Sequence, residues 1–205
     1  MARDHARIKV AIWSDEDFKD LRAPQQHAYF VLTTQAKLSY CGVLDYIPSR
    51  LAKLAKGLTE AAVEAMVEGL EKARYVVVDH DTQELLIRSY VRHDGLLESP
   101  NVSKAMAKDY GEVISPRIRA AILVELQRAY REDPKLAGWR GIGEKFSALM
   151  EEIKNPSPDP YENPSPNPYR KGSANPSENP SDDPSGNPFQ EDEENPFETL
   201  PERVN

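Results

Sequence analysis

The chain has one cysteine, Cys41, among its 205 residues. A lone cysteine cannot close an internal disulfide. This excludes a disulfide-stapled secreted scaffold and points to a reducing compartment, with Cys41 itself reading as a small buried hydrophobe. Long apolar runs are missing too, and no segment approaches the length of a membrane span. No apolar signal core follows Met1-Ala2-Arg3-Asp4-His5. The expectation is a soluble, cytoplasmic protein without membrane contacts.

Signatures of catalysis are equally scarce. The four histidines, His5, His27, His80 and His93, have no ligand spacing. His93-Asp94 reads as a strand end rather than a metal pair. Gly141-Ile142-Gly143-Glu144-Lys145 is superficially similar to a phosphate loop. It lacks the Gly-Lys-Ser/Thr ending, and no strong strand precedes it. No nucleophile elbow is present, and acidic pairs such as Glu151-Glu152 read as exposed helix surface. The sequence therefore predicts a protein that is not an enzyme and takes no cofactor or metal.

Proline and charge are unevenly spread. Twelve of the 17 prolines lie in residues 155–205, together with 11 acids and only three bases, Arg170, Lys171 and Arg203. That stretch carries the whole net charge of −8, and the other 154 residues balance 23 acids against 23 bases. The pI thus describes the tail. A neutral head binds nucleic acid only if its charge is segregated onto one face. The tail contains seven Asn-Pro dipeptides, from Asn155-Pro156 to Asn195-Pro196. Proline blocks helix and sheet, and apolar residues are too few to offset the entropy of ordering. An expanded, disordered tail is expected. Its two Asn-Pro-Phe repeats, ending in Phe189 and Phe197, are candidate partner motifs, with plain membership of a low-complexity repeat as the alternative.

The remaining residues alternate between helical and strand patterns. Residues 8–13 are apolar and β-branched and predict a short strand or extended arm. Asp15-Glu16-Asp17 favours a helical turn. Pro24 suits a first helical position, and Tyr29, Phe30, Val31 and Leu32 predict a mostly buried helix. Residues 42–46 read as a small strand. From Pro48 a second helix is predicted to Lys56, with Leu51, Leu54, Ala55 and Leu58 on one side and Arg50, Lys53 and Lys56 on the other. Gly57 is a helix-ending glycine, and Thr59 is an N-cap for a third helix whose stripe is Val63, Met66, Val67, Leu70 and Ala73. Residues 75–78 and 85–91 then predict a hairpin with a polar tip at 79–83.

The order helix, strand, helix, glycine turn, helix, hairpin is that of a winged helix-turn-helix. Further helices are predicted on Val102, Ala105, Met106 and Tyr110, on the stretch from Ser115-Pro116 through Ile118, Ala121, Ile122, Glu125, Leu126 and Tyr130, and over residues 143–154. The expected class is mainly α (α+β). It comprises a winged-helix domain at 1–94, an α-helical extension at 95–154 and a disordered acidic tail at 155–205.

Several of these runs carry a family likeness. Residues 6–18, Gly42-Val43-Leu44, Leu51-Ala52-Lys53-Leu54, Val67 to Lys72 and Ile87 to Asp94 resemble phage and actinobacterial replication-initiation proteins of the replisome-organiser-like, winged-helix kind. The likeness covers roughly residues 6–94, with a weaker echo beyond, and the Asn-Pro-rich tail departs from it. It implies a head that binds double-stranded DNA in a bacterial host cell. It also implies a C-terminal part that contacts replication proteins such as a helicase or primase.

In such folds the third helix enters the major groove. Here its outer side carries Glu60, Ala61, Glu64, Ala65, Glu68, Glu71 and Lys72, an acidic face that phosphate would avoid. The candidate DNA contacts are therefore placed around it. Arg3, Arg7 and Lys9 lie in the arm, and Arg50, Lys53, Lys56 and Thr59 on and after the second helix. Lys72, Arg74, Arg88 and Arg92 lie about the hairpin. A transcriptional regulator, or an adaptor that binds protein instead of DNA, fits the same pattern. No heptad seam is evident to set an oligomeric state.

Overall fold

The computed structural model describes residues 6–93 and 95–156. Arg3, Asp94 and the tail beyond residue 156, with Phe189 and Phe197, lie outside them. The described residues are mainly helical with one small antiparallel sheet, and all fall in one compact unit.

The chain enters through a 3₁₀ turn over Val10–Ser14, not the strand or extended arm expected at residues 8–13. Only Ile12 of its apolar residues is buried, while Val10 and Trp13 are exposed. A strand would have turned the alternate residues Ile8, Val10 and Ile12 to one face, but the core accepts just one of them. Helix α1 (Glu16–Lys19) follows, capped by Asp15, whose side chain accepts from the Asp17 and Phe18 amides. Helix α2 (Ala23–Thr33) carries Pro24 in its first turn and buries Ala28, Leu32 and Thr33.

Strand β1 (Val43–Asp45) is followed by α3 (Pro48–Leu51) and a 3₁₀ turn over Ala52–Leu54. The second helix is therefore shorter than its apolar spacing predicts. Ala55 is already extended, and Leu54 is 54% exposed. Gly57, at φ +81°, reverses the chain early enough for Thr59 to cap α4 (Glu60–Lys72), its hydroxyl accepting from Ala62 N at 3.2 Å. Helix α4 buries Val63, Met66, Val67 and Leu70, as its stripe predicts.

Strands β2 (Val76–Asp79) and β3 (Glu84–Ile87) form the hairpin, and β1 pairs along the other edge of β3, giving the order β1-β3-β2. The register sets Val43 opposite Leu86 and Val77 opposite Leu86. Successive strand residues face opposite sides, yet Val76, Val77, Val78, Leu85, Leu86 and Ile87 are all buried, so both faces of the hairpin are covered. Helix α4 packs on β2, and α7 (Pro116–Glu132) packs on β2 and β3.

The second hairpin strand ends at Ile87 rather than at residue 91, and the chain winds into α5 (Tyr90–His93). Tyr90 crowds Gly42, where an added Cβ would stand 2.8 Å from the tyrosine Cβ. At that φ of +83° and in that space only glycine is accommodated.

Beyond α5, a 3₁₀ turn over Leu96–Glu98 leads to α6 (Pro100–Glu112), then α7, α8 (Gly138–Lys145) and α9 (Ser147–Lys154). The helix expected over residues 143–154 is broken at Phe146, and α8 extends back to Gly138. Its glycines lower helix propensity, which masks it in sequence. They serve close packing instead: a Cβ on Gly138 would overlap Ser103 and the Leu97 carbonyl, and one on Gly141 the Pro100 carbonyl. Of the glycines similar to a phosphate loop, Gly141 is thus a close helix contact. The buried core runs without a break from Ile12 to Ile153, across the expected 94/95 boundary.

Candidate nucleic-acid interface

The sequence nominates eleven contacts, and the structure separates them into groups. Arg50, Lys53 and Lys56 are exposed and close in sequence, but they do not line one helix face. Arg50 is on α3, Lys53 on the 3₁₀ turn, and Lys56 in the loop before Gly57. Arg50 reaches Asp45 at 3.6 Å, with both side chains more than half exposed, so water screens the pair and leaves the cation available. Thr59 is spent on capping α4.

In the arm, Arg7 and Lys9 are exposed. The Arg7 guanidinium lies over Gly95, where an added Cβ would be 3.4 Å from it.

The hairpin cations are not surface groups. The side chains of Arg88 and Arg92 are 8% and 3% exposed. Both point at Glu125, which is fully buried on α7: Arg92 Nη1 donates to Oε2 at 3.1 Å, and Arg88 Nη2 lies 3.8 Å from Oε1. Glu132 extends the cluster, 3.5 Å from Arg92 and 3.3 Å from Arg128 Nε. These two arginines therefore cannot grip a duplex, because withdrawing them would strand a buried carboxylate. Glu125 was readable as a carboxylate within an otherwise apolar helical stripe, a pattern that calls for a buried cation.

The rest of the hairpin is also engaged. Lys72 pairs with Glu68 at 2.8 Å, and that contact holds the Glu68 carboxyl below its usual range. Arg74, half-buried in the left-handed region at φ 64°, closes the C-terminus of α4. Glu71 is not on the free face of α4. It accepts from Val78 N at 3.1 Å and from Arg117 Nη2 at 3.1 Å, tying α4 to β2 and α7. At the tip, Glu84 accepts from Ile114 N and Ser115 N at 3.0 and 2.7 Å, and Asp79 accepts from the Ser115 hydroxyl. Ser115 in turn caps α7.

The outer face of α4 carries three of the four expected glutamates. Glu60, Glu64 and Glu68 are exposed on it. Burial, with the Glu64 and Glu71 carboxylates adding to it, pushes the Tyr46 phenol up to about 12. Cys41 is buried and its thiol is pushed up to about 11, chiefly by desolvation.

Comparison with protein-family models, curated proteins and solved structures gave no match to this chain.

Among the described residues no three His, Cys, Asp or Glu side chains gather as a metal site, and no helix is long and apolar enough to cross a membrane. Of the nominated cations among the described residues, Arg50, Lys53 and Lys56 form an exposed group around the α3–α4 connection.

Proposed function

We propose that the protein is a DNA-binding module of the winged helix-turn-helix kind that serves replication initiation in a phage or bacterium. Duplex backbone is gripped through the α3–α4 connection. The observation that carries this reading is the placement of Arg50, Lys53 and Lys56, all exposed, on the short segment joining two helices ahead of a hairpin whose second strand pairs with β1. The likeness to replication-initiation proteins supplies the biological setting, with a helicase or primase as the partner.

The grip differs from one spread over arm, helix and wing. With the hairpin cations withdrawn, the α3–α4 connection supplies about three phosphate contacts, giving a slope of log K against log salt near −2.7. Fluorescence anisotropy on a short duplex measures it. The Arg50→Ala, Lys53→Ala, Lys56→Ala triple variant is expected to bring the slope toward zero. Binding that is indifferent to salt, or to the triple variant, overturns the reading. Selection from a random duplex library, followed by capture with helicase or primase, separates an origin site from a transcriptional operator.

One observation favours a second reading, that of an adaptor which binds protein. The helix that enters the groove in this class of fold presents Glu60, Glu64 and Glu68. Failure to retard any duplex at low salt selects it.

A further inference from the structure

The outer edge of β1 borders a trough that no described element fills. One part, of about 560 Å³, lies between β1, the 36–40 loop and the C-terminal end of α6. A second part, of about 290 Å³, runs on along β1 to Arg50 and Leu51. The two share Ala36, Lys37, Leu44 and Asp45, so they form one depression that follows the strand.

Its floor is apolar, made by Leu38, Val43, Leu44 and Val113, with Leu51 at the far end. Its rim is acidic. Asp45, Glu84, Asp109 and Glu112 line it against Lys37 and Arg50. Arg50 lies 3.6 Å from Asp45 and Lys108 3.1 Å from Glu112, both exposed pairs that water screens, so the rim keeps an excess of acid over base. Two of these carboxylates are fixed by the backbone. Asp109 accepts from Tyr40 N at 2.7 Å, and Glu84 is held by the Ile114 and Ser115 amides. These bonds hold both carboxylates at the rim. At the same end Tyr40 and Ile114 are 38% and 71% exposed.

We propose that this trough docks a cationic, extended segment of a partner protein, one in which Lys or Arg alternates with apolar residues. Charge selects that occupant. Nucleic acid would meet four carboxylates, and this chain's own tail carries a net charge of −8. A second copy using the same face would set acid against acid. An incoming basic segment instead gains the rim carboxylates for its head groups and Tyr40 and Ile114 for its aliphatic stems. Side chains, not sheet extension, do the recognising. The outward amide of Val43 already donates to Ser39 Oγ, and its carbonyl accepts from Ser39 N, both at 2.9 Å. A strand laid along β1 would find those groups taken.

The test is titration of isotope-labelled full-length protein with a short peptide alternating Lys and Leu, in the absence of DNA. The amide signals of Leu38, Val43, Leu44 and Asp45 are expected to shift. A peptide alternating Glu and Leu is expected to leave them unmoved. The Asp45→Lys, Glu112→Lys double variant, checked by an unchanged melting temperature, is expected to weaken the Lys-Leu peptide at least about fivefold, the equivalent of two exposed pairs. Should the double variant unfold, Glu112→Gln alone is read, with a smaller loss expected. The proposal falls if the shifts lie elsewhere, if the acidic peptide produces them, or if the variants bind as well as the parent. Because no DNA is present, the DNA-binding reading stands or falls separately.

Discussion

Glu125, with no exposed surface, accepts a hydrogen bond from Arg92 at 3.1 Å, from 33 positions away in the chain. The bond joins α5 to the middle of α7. Arg88 completes a buried group of one acid and two bases. Removing the acid takes the shared buried carboxylate from two largely buried guanidinium groups, and breaking a buried pair in this way costs about 3–5 kcal/mol. Glu125→Gln is therefore expected to be strongly destabilising in a urea melt. Arg92→Ala should also unfold more readily, yet leave the salt slope of any DNA binding unchanged.

The same relationship shows where sequence reading stops. Local signals were faithful for α4, whose Thr59 cap and whose Val63, Met66, Val67 and Leu70 burial appear as spaced, with Ala73 falling just past the helix, and for the first hairpin strand, whereas the second stops at Ile87 and not at residue 91. These elements are decided by residues within one or two turns of each other. The exposure of Arg88 and Arg92 was not decided locally. An arginine at a strand end reads as surface until a carboxylate arrives from another helix, and only the fold brings Glu125 there. Residues 8–13 misled for a related reason. Their β-branched composition favours a strand, but the core has room for Ile12 alone.

Helix α7 also holds the hairpin tip. Ser115 caps α7 through Ile118 N at 3.1 Å and donates to Asp79, whose carboxyl is drawn below its usual range first by that hydroxyl and then by the Thr82 amide. A lowered native pKa means that the proton binds more tightly to the unfolded chain. The stabilisation is therefore full above the unfolded carboxyl range and is lost as pH falls through the native value. Ser115→Ala should lose about 1–2 kcal/mol at neutral pH, as removal of an N-cap does. It should also flatten the acid limb of the stability curve and speed amide exchange at residues 80–83.

Asp15 has the opposite sign. Burial, ahead of its neighbours Asp17 and Glu16, raises its carboxyl above the usual value, against the hydrogen bonds from the Phe18 and Asp17 amides. Among the described residues its buried Oδ2 has no hydrogen-bond partner, nor has the hydroxyl of Tyr75, whose phenol is raised by burial and then by the Asp15 charge. A raised native pKa gives stabilisation that is present below the unfolded carboxyl value and lost as pH rises through the native one. Asn caps a helix about as well as Asp and carries no charge. Asp15→Asn should therefore raise the melting temperature at pH near 7 and lose that advantage at pH near 3. A variant that melts lower at both would show that the charge is favourable where it sits.

Two glycines in neighbouring helices predict opposite outcomes. Gly111 on α6 has nothing within 4 Å of an added Cβ, so Gly111→Ala should gain about 0.5–1 kcal/mol from helix propensity. Gly141 on α8 packs against the Pro100 backbone, which cannot swing aside as a side chain would. Gly141→Ala should be destabilising in spite of the same propensity gain. Chemical melts of the two single variants make the comparison, and equal effects would contradict the close approach of α6 and α8.

The acidic face of α4 gives the sharpest check on DNA binding. If a duplex lies against the α3–α4 connection, the exposed Glu64 and Glu68 carboxylates repel its phosphates through screening water. Neutralising either should therefore tighten binding. Glu68→Gln carries a second effect, because it frees Lys72 from its 2.8 Å partner and hands a cation to the same surface. Its gain should exceed that of Glu64→Gln and should steepen the salt slope, while the lost surface pair, screened by water, costs little stability. Anisotropy titrations of the two variants at two salt concentrations decide the matter. If neither tightens binding, α4 faces away from the duplex, and the glutamates on it are available to a protein partner.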